Sequence, residues 1–465
     1  MSRNWFVLGA LATILVIAAA GIGVSQSPPS HAVGRQYTPP WYIPSPEVPP
    51  DVVMQQSGAI GFDPFVNDFA WNTFVALSWP ASGRFNGVPD RQNVIGGVAP
   101  GTGEGTGKRP GKPNGPTVWE TFKDTSDIYL NPPTAPTPFN EAELIPPACK
   151  DLAAKNPGAG ERTMLMTSKT SDVLRDTRQA FTHAPLVDLN GNLVWYEVKV
   201  NEVYYDYVVK NKYYDSRNQP ASGIEFPMGA NDGPGIGAIR VKAAWKEIAG
   251  ADDAKRFYTT TALTYDAKSG KCEAKLMGLV GLHVVQKTAQ FPRWVWATFE
   301  HADNAPTQDE IDDGSAAKKK WSFYDPASSA KPNQKPVEPY TTPVQVVRVM
   351  PIHNNAAAAN ALFRPAMATL RDDNVWQNYI LVAAQWGGPN MSDPARLPVY
   401  AANTTMETYL QEPIDDPNSP HGCINCHNKF APTKDGDFQL RKAWPKAPAE
   451  DKAIAAQSLA LPGPR

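Results

Sequence analysis

A chain of 465 residues is long enough for two or three domains and one large core. Its 44 Lys and Arg against 46 Asp and Glu leave a net charge of −2, which gives no general attraction to phosphate and argues against nucleic acid as a partner. The 46 prolines are about twice ordinary usage, and proline sits badly inside helices and central strands, so a mostly helical protein is excluded.

At the N-terminus a single basic residue, Arg3, precedes an uncharged, mostly apolar run over residues 6–24. This is the pattern of an export signal. As a helix the 19 residues would extend about 28 Å, long for a signal core and just enough to cross a bilayer. Ser30 and Ala32 fit the small-x-small cleavage rule. Residues 1–32 therefore read either as a cleaved signal peptide or as a membrane anchor retained through residues 6–24. In both readings the rest of the chain crosses a membrane, and in a bacterium it reaches the periplasm.

Residues 33–57 form a proline-rich arm, with Pro39, Pro40, Pro44, Pro46, Pro49 and Pro50. Asp63-Pro64 opens a helix on which Phe65, Phe69, Phe74 and Leu77 lie near one face, and Pro80 stops it. Residues 97–116 are rich in Gly, Pro and Lys without apolar period, and they lack the Gly-Lys-Ser/Thr ending of a phosphate loop, so they read as a surface loop. Asn190-Gly191 is a hairpin turn signal. Beyond it Val194, Tyr196, Val198 and Val200 alternate with polar or amphipathic neighbours as in a half-buried strand. Asn201 then suits the cap of a short helix carrying Val203, Tyr204, Tyr207 and Val208. Further strands are predicted over 239–245, 257–265, 276–286, 293–301, 345–350 and 375–386. An alanine-rich helix is predicted over 355–370, kinked or split by Pro365. Strands and helices mix without a βαβ rhythm, and 13 Trp and 16 Tyr favour an aromatic-packed, loop-rich body. The expected fold is α+β with mainly antiparallel sheet. It is organised as the N-terminal segment 1–32, the arm 33–57, a large body 58–399 and a short C-terminal segment 400–465 packed against that body.

Four cysteines are too few for a disulfide scaffold. Cys149 and Cys272 either pair in an oxidising compartment or remain buried free thiols. The other two stand in Cys423-Ile424-Asn425-Cys426-His427, the Cys-x-x-Cys-His pattern of haem c attachment. Two thiols at this spacing can each add across one haem vinyl group, and the next residue then lies beneath the porphyrin where its imidazole can bind iron. A zinc site would need a second donor pair, and none is nearby in sequence. A thioredoxin-like pair would normally open a helix in a βαβ unit. The pattern and the export signal agree, because this attachment occurs outside the cytoplasm.

The motif resembles that of c-type cytochromes. The wider chain is similar to the large single-haem cytochrome c family proteins of Gram-negative bacteria. The similarity lies in Phe69-Ala70-Trp71-Asn72-Thr73-Phe74-Val75-Ala76-Leu77, in Trp294-Val295-Trp296-Ala297-Thr298-Phe299-Glu300-His301, and in Asn403-Thr404-Thr405-Met406-Glu407-Thr408-Tyr409-Leu410 leading to the motif. The resemblance implies one covalent haem c and an extracytoplasmic location rather than a particular reaction. Unlike the small cytochromes c, this chain has only 38 residues after His427, with no Met or His among them. A distal iron ligand, where there is one, would then come from upstream (His183, His283, His301 or His353, or Met350, Met391 or Met406) or be a lysine or water. Of these, His301, His283 and Met406 are the residues singled out. A turn centred near Gln290 would place His283 and His301 on one sheet face.

The expectation is an exported single-haem cytochrome: Cys423 and Cys426 hold the haem, His427 is the proximal ligand, and electrons pass to redox partner proteins of the periplasm or inner membrane. The alternative is a haem-dependent enzyme, or a gas- or peroxide-reactive protein, whose large body leaves the distal side of the iron open.

Overall fold

Alternation of side chains along the strands gives the central sheet two chemically different faces, and that difference decides what packs on each. The computed structural model describes residues 44–53, 63–83, 86–91, 93–95, 97–98, 116–142, 144–155, 163–164, 179, 184–229, 235–248, 254–266, 270–370, 374–387, 400–411 and 422–445. In chain order these form α1 (Asp63–Leu77), β1 (Asn93–Val94), β2 (Gly97–Val98), β3 (Lys123–Asp124), α2 (Lys150–Lys155), β4 (Thr163–Met164), β5 (Trp195–Val200) and α3 (Glu202–Lys210). There follow β6 (Ile239–Glu247), β7 (Thr259–Asp266), β8 (Lys271–Gln286), β9 (Val295–His301), α4 (Gln308–Asp312), α5 (Asn354–Leu370), β10 (Tyr379–Trp386) and α6 (Cys423–Phe430). The main sheet runs β10-β9-β8-β6-β5-β3 with every neighbour antiparallel, and β7 pairs antiparallel with β8 and parallel with β4. The fold is α+β. Residues 1–43, most of 97–116, and His183, Met391 and His421 lie outside the described residues, and with them the expected signal or anchor, the start of the arm and most of the surface loop. Among the described residues no helix is long and apolar enough to cross a membrane.

One sheet face is apolar. Val241 and Ala243 of β6, Leu282 and Val284 of β8 and Phe299 of β9 are all buried there. Helices α1 and α5 cover it: Phe74 stacks on Phe299 with centroids 4.3 Å apart, Trp71 meets Phe299 edge-on at 5.1 Å, and Phe363 stacks on Trp71 at 5.4 Å. Burying one such ring contributes about 1.5–3 kcal/mol. The Trp71 indole N–H donates to Asn360 Oδ1 at 3.0 Å, so the ring's polar atom is satisfied. The opposite face carries Arg240, Lys242, His283, Thr298 and Glu300, and there the Asn403 side chain donates to Thr298 Oγ1 at 3.0 Å and the Thr404 N–H to Glu300 Oε2 at 2.8 Å.

Several local signals act as the sequence implies. Gly191 has φ +81 in the turn closing the Val187–Leu193 bridge, and the Asn201 side chain accepts from the Tyr204 N–H to cap α3. Pro365 lies within α5 without dividing it. The strand expected over 345–350 does not form. Its amides go to three unrelated acceptors, Val346 to the Phe323 carbonyl, Val347 to the Asn333 side chain and Arg348 to the Pro306 carbonyl, so the segment is stitched in place without a ladder. Cys149 and Cys272 form a disulfide with Cα atoms 5.3 Å apart.

Candidate functional site

Helix α6 is set down by its apolar residue. Ile424 is fully buried in the main core, beside Leu440 and Ala443, and its N–H donates to Gln385 Oε1 of β10 at 3.4 Å. With Ile424 fixed, Cys423 and Cys426 fall three residues apart on the helix, both free and both half-buried. His427 follows, its ring between Trp296 of β9 at 4.3 Å and Phe438 at 4.4 Å. Trp296 of β9 thus packs against the C-terminal segment, and Trp294 adds an indole N–H donated to the Asp435 carbonyl at 3.0 Å.

The tautomer of His427 follows from its partner. Nδ1 lies 2.7 Å from the Gly436 carbonyl oxygen, which can only accept, so Nδ1 carries the hydrogen and the lone pair is on Nε2. The carbonyl comes this close because position 436 is glycine. Its φ is +70, and a Cβ there would lie 3.1 Å from Asn428 Oδ1 and 3.5 Å from His427 Cβ. Two free thiols one helical turn apart, followed by an imidazole with its Nε2 lone pair available, are the donor set that a covalently attached haem takes.

Electrostatics separate this site from a redox dithiol. Burial, reinforced by the Glu407 carboxylate, pushes the Cys423 thiol up to about 12. Burial, then Cys423 and Glu407, also raises Cys426. A reactive cysteine needs its thiolate near neutral pH, and both are held as thiols here although Cys423 opens a helix. Among the described residues no group of three or more His, Cys, Asp and Glu side chains could hold a metal ion. Burial, followed by Arg240, pushes His427 well below its ordinary range, so its ring stays neutral.

The three distal candidates are placed very differently. The register pairs His283 with Thr298 and Gly281 with Glu300, one residue away from the turn centred at Gln290. Side chains alternate, so His283 and His301 point to opposite faces, which corrects the expectation that they share one. His301 is fully buried on the α1/α5 side of the sheet, stacked on Phe257 at 4.1 Å. Its Nε2 donates to the Arg256 carbonyl at 2.8 Å and its Nδ1 accepts from the Asp303 N–H at 3.1 Å, so no lone pair remains for a metal. Met406 is fully buried in a second core cluster with Tyr196 and Val280, where it packs over Gly281. His283 stands on the polar face with Arg240 and Lys242. Its Nε2 is buried without a hydrogen bond, 3.4 Å from Glu407 Oε2.

Sequence reasoning missed Glu407, Gly436, Arg240 and Lys242. Glu407 accepts the Asn403 N–H at 2.9 Å; burial pushes its carboxyl up, yet His283, Lys242 and that N–H together hold it below the usual range. Of these, the Gly at position 436, nine residues after His427, is the one signal visible in the sequence. No family model matches this chain, and no curated protein or solved structure matches it.

Proposed function

We propose that the chain is an exported, single-haem c-type cytochrome that carries electrons one at a time. Cys423 and Cys426 would hold the haem, each S–H adding across one vinyl C=C with no net gain or loss of electrons, and His427 Nε2 would bind the iron. The observation that carries the reading is the Nδ1–H of His427 donated to Gly436, which leaves Nε2 as the ligand atom beside two protonated thiols. The Cys149–Cys272 disulfide supports an oxidising, extracytoplasmic compartment, and in a bacterium the periplasm. Redox proteins of the periplasm or inner membrane would be the partners.

His283 is the residue we assign to the distal side. Its unbonded Nε2 on the polar face suits a sixth ligand, whereas His301 has spent both nitrogens. The same atom beside Glu407 would serve a haem-dependent enzyme as a proton-handling pair.

One preparation tests both readings. Protein matured in a periplasm should keep haem on a denaturing gel, and Cys423→Ala with Cys426→Ala should lose it; a stain that survives the double substitution would overturn the haem assignment. The ferrous spectrum then decides the distal side. A low-spin spectrum unchanged by carbon monoxide in the parent, and responsive to it in His283→Ala, is the carrier's outcome. An immediate response in the parent is the enzyme's.

A further inference from the structure

The residues on either side of Gly436 are both aspartates, and each is buried in an ion pair with the sheet. Asp435 Oδ2 lies 2.6 Å from Lys287 Nζ, with side chains only 4% and 1% exposed. Asp437 Oδ1 lies 2.5 Å from Arg240 Nη1, with 0% and 7% exposed. Lys287 immediately follows β8 and Arg240 lies on β6, so two neighbouring strands grip one three-residue loop. Asp435 also accepts the Phe226 N–H at 3.0 Å, and Asp437 Oδ1 accepts the Gln439 N–H at 2.6 Å. Asp437 Oδ2 is buried with no hydrogen bond. Asp435 and Gly436 both have positive φ, +53 and +70, a left-handed stretch that glycine adopts freely and aspartate tolerates better than most side chains.

Stability alone gives no reason for this arrangement. Taking two charges out of water costs much of what their attraction returns, and well-packed apolar residues often serve as well. What the two pairs achieve together is geometric: they fix both ends of the peptide whose carbonyl accepts from His427 Nδ1. Arg240 also lies over the Trp296 ring at 5.3 Å, and Trp296 packs against His427, so one guanidinium touches both supports of the imidazole.

We propose that Lys287–Asp435 and Arg240–Asp437 are positioning pairs: they aim the Gly436 carbonyl at His427 Nδ1 and so set the ring plane and donor strength of the iron ligand. A firmly held acceptor on Nδ1 makes the imidazole more basic at Nε2, as outer partners of metal-bound histidines generally do. A more basic ligand favours ferric over ferrous iron. The inference rests on the haem reading above.

The test uses the full haem-loaded chain, with the reduction potential and the ferric electron paramagnetic resonance g values as readouts. Asp435→Asn and Asp437→Asn should each shift the ferric/ferrous ratio at fixed ambient potential about tenfold towards ferrous, about 59 mV for one electron. Loss of a negative charge alone would raise the potential, so the g values, which follow the ligand plane, decide. They should move in both variants and return towards the parent in Arg240→Gln combined with Asp437→Asn, which removes both charges but keeps a hydrogen bond. If Asp437→Asn does not fold, Lys287→Gln carries the same expectation from the other pair. Unchanged g values in the variants that fold, even with a lowered melting temperature, would make the pairs merely structural and overturn the proposal. Absence of covalent haem from the parent would overturn the haem reading and this inference with it.

Discussion

A histidine buried in its neutral form ties folding to pH. His301 has no exposed surface, and burial, opposed by its bond to the Arg256 carbonyl, pushes its pKa down to about 4. In the unfolded chain the imidazole titrates near its ordinary value of 6.5. Between these two values the unfolded state binds a proton that the folded state does not, so stability present in full above pH 6.5 is lost as the pH falls towards 4. A separation of this size corresponds to on the order of 3 kcal/mol. Wild-type protein should therefore lose more unfolding free energy between pH 7 and pH 4.5 than His301→Gln, measured by urea titration at each pH. Equal losses in the two proteins would remove His301 from the account. The contrast with His427 lies in the sequence only in part. The motif spacing singles out His427 as a candidate, but nothing near His301 announces that Phe257, Arg256 and Asp303 will enclose it.

At the scale of elements, local pattern and long-range register were unequally legible. The alternation of β5, the Asn201 cap and the Asn190-Gly191 turn rest on neighbours within a few residues, and all are present. The pairing of β8 with β9 depends on the chain between Gln286 and Val295, and a shift of one residue there moves a histidine through the sheet. The loop after the motif is gripped by Lys287, 148 residues away from Asp435, a distance at which sequence spacing carries no information. The disulfide is a similar case, its cysteines 123 positions apart in the chain. It ties the start of α2 to Cys272 near the first residue of β8, in the stretch of β8 that pairs only with β7. Cys149→Ser with Cys272→Ser should cost about 2–5 kcal/mol in denaturant unfolding. Amide exchange should rise at α2, at β7 and at the start of β8, while α6 keeps its protection. Uniform loss of protection across the chain would show that this corner is not a separate cooperative region.

At the scale of the whole molecule, the C-terminal segment depends on the body for both its cover and its attachment. Ile424, Leu440 and Ala443 belong to the main core, and Trp296 of β9 covers one side of His427. The chain is then fastened at points spread over distant parts of the fold. The Ile224 N–H donates to the Thr433 carbonyl at 2.9 Å, the Gln219 side chain donates to the Leu440 carbonyl at 2.9 Å, and the Ser216 N–H donates to the Trp444 carbonyl at 3.0 Å. The Lys287 and Arg240 ion pairs add two buried charges from the sheet, and without the body Asp435 and Asp437 would lose both partners. A fragment of about 65 residues buries only about 60% of its surface and is marginal even with a complete core. A covalent haem would add a large apolar face to be covered, and the side chain that lies against His427 from β9 would be missing. Residues 400–465 expressed alone with haem maturation should therefore be digested rapidly under conditions where the full chain resists protease, and their haem spectrum should depart from that of the full chain. A protease-resistant fragment with the full-length spectrum would mean that the segment builds its own haem pocket and that the sheet's polar face is not part of it.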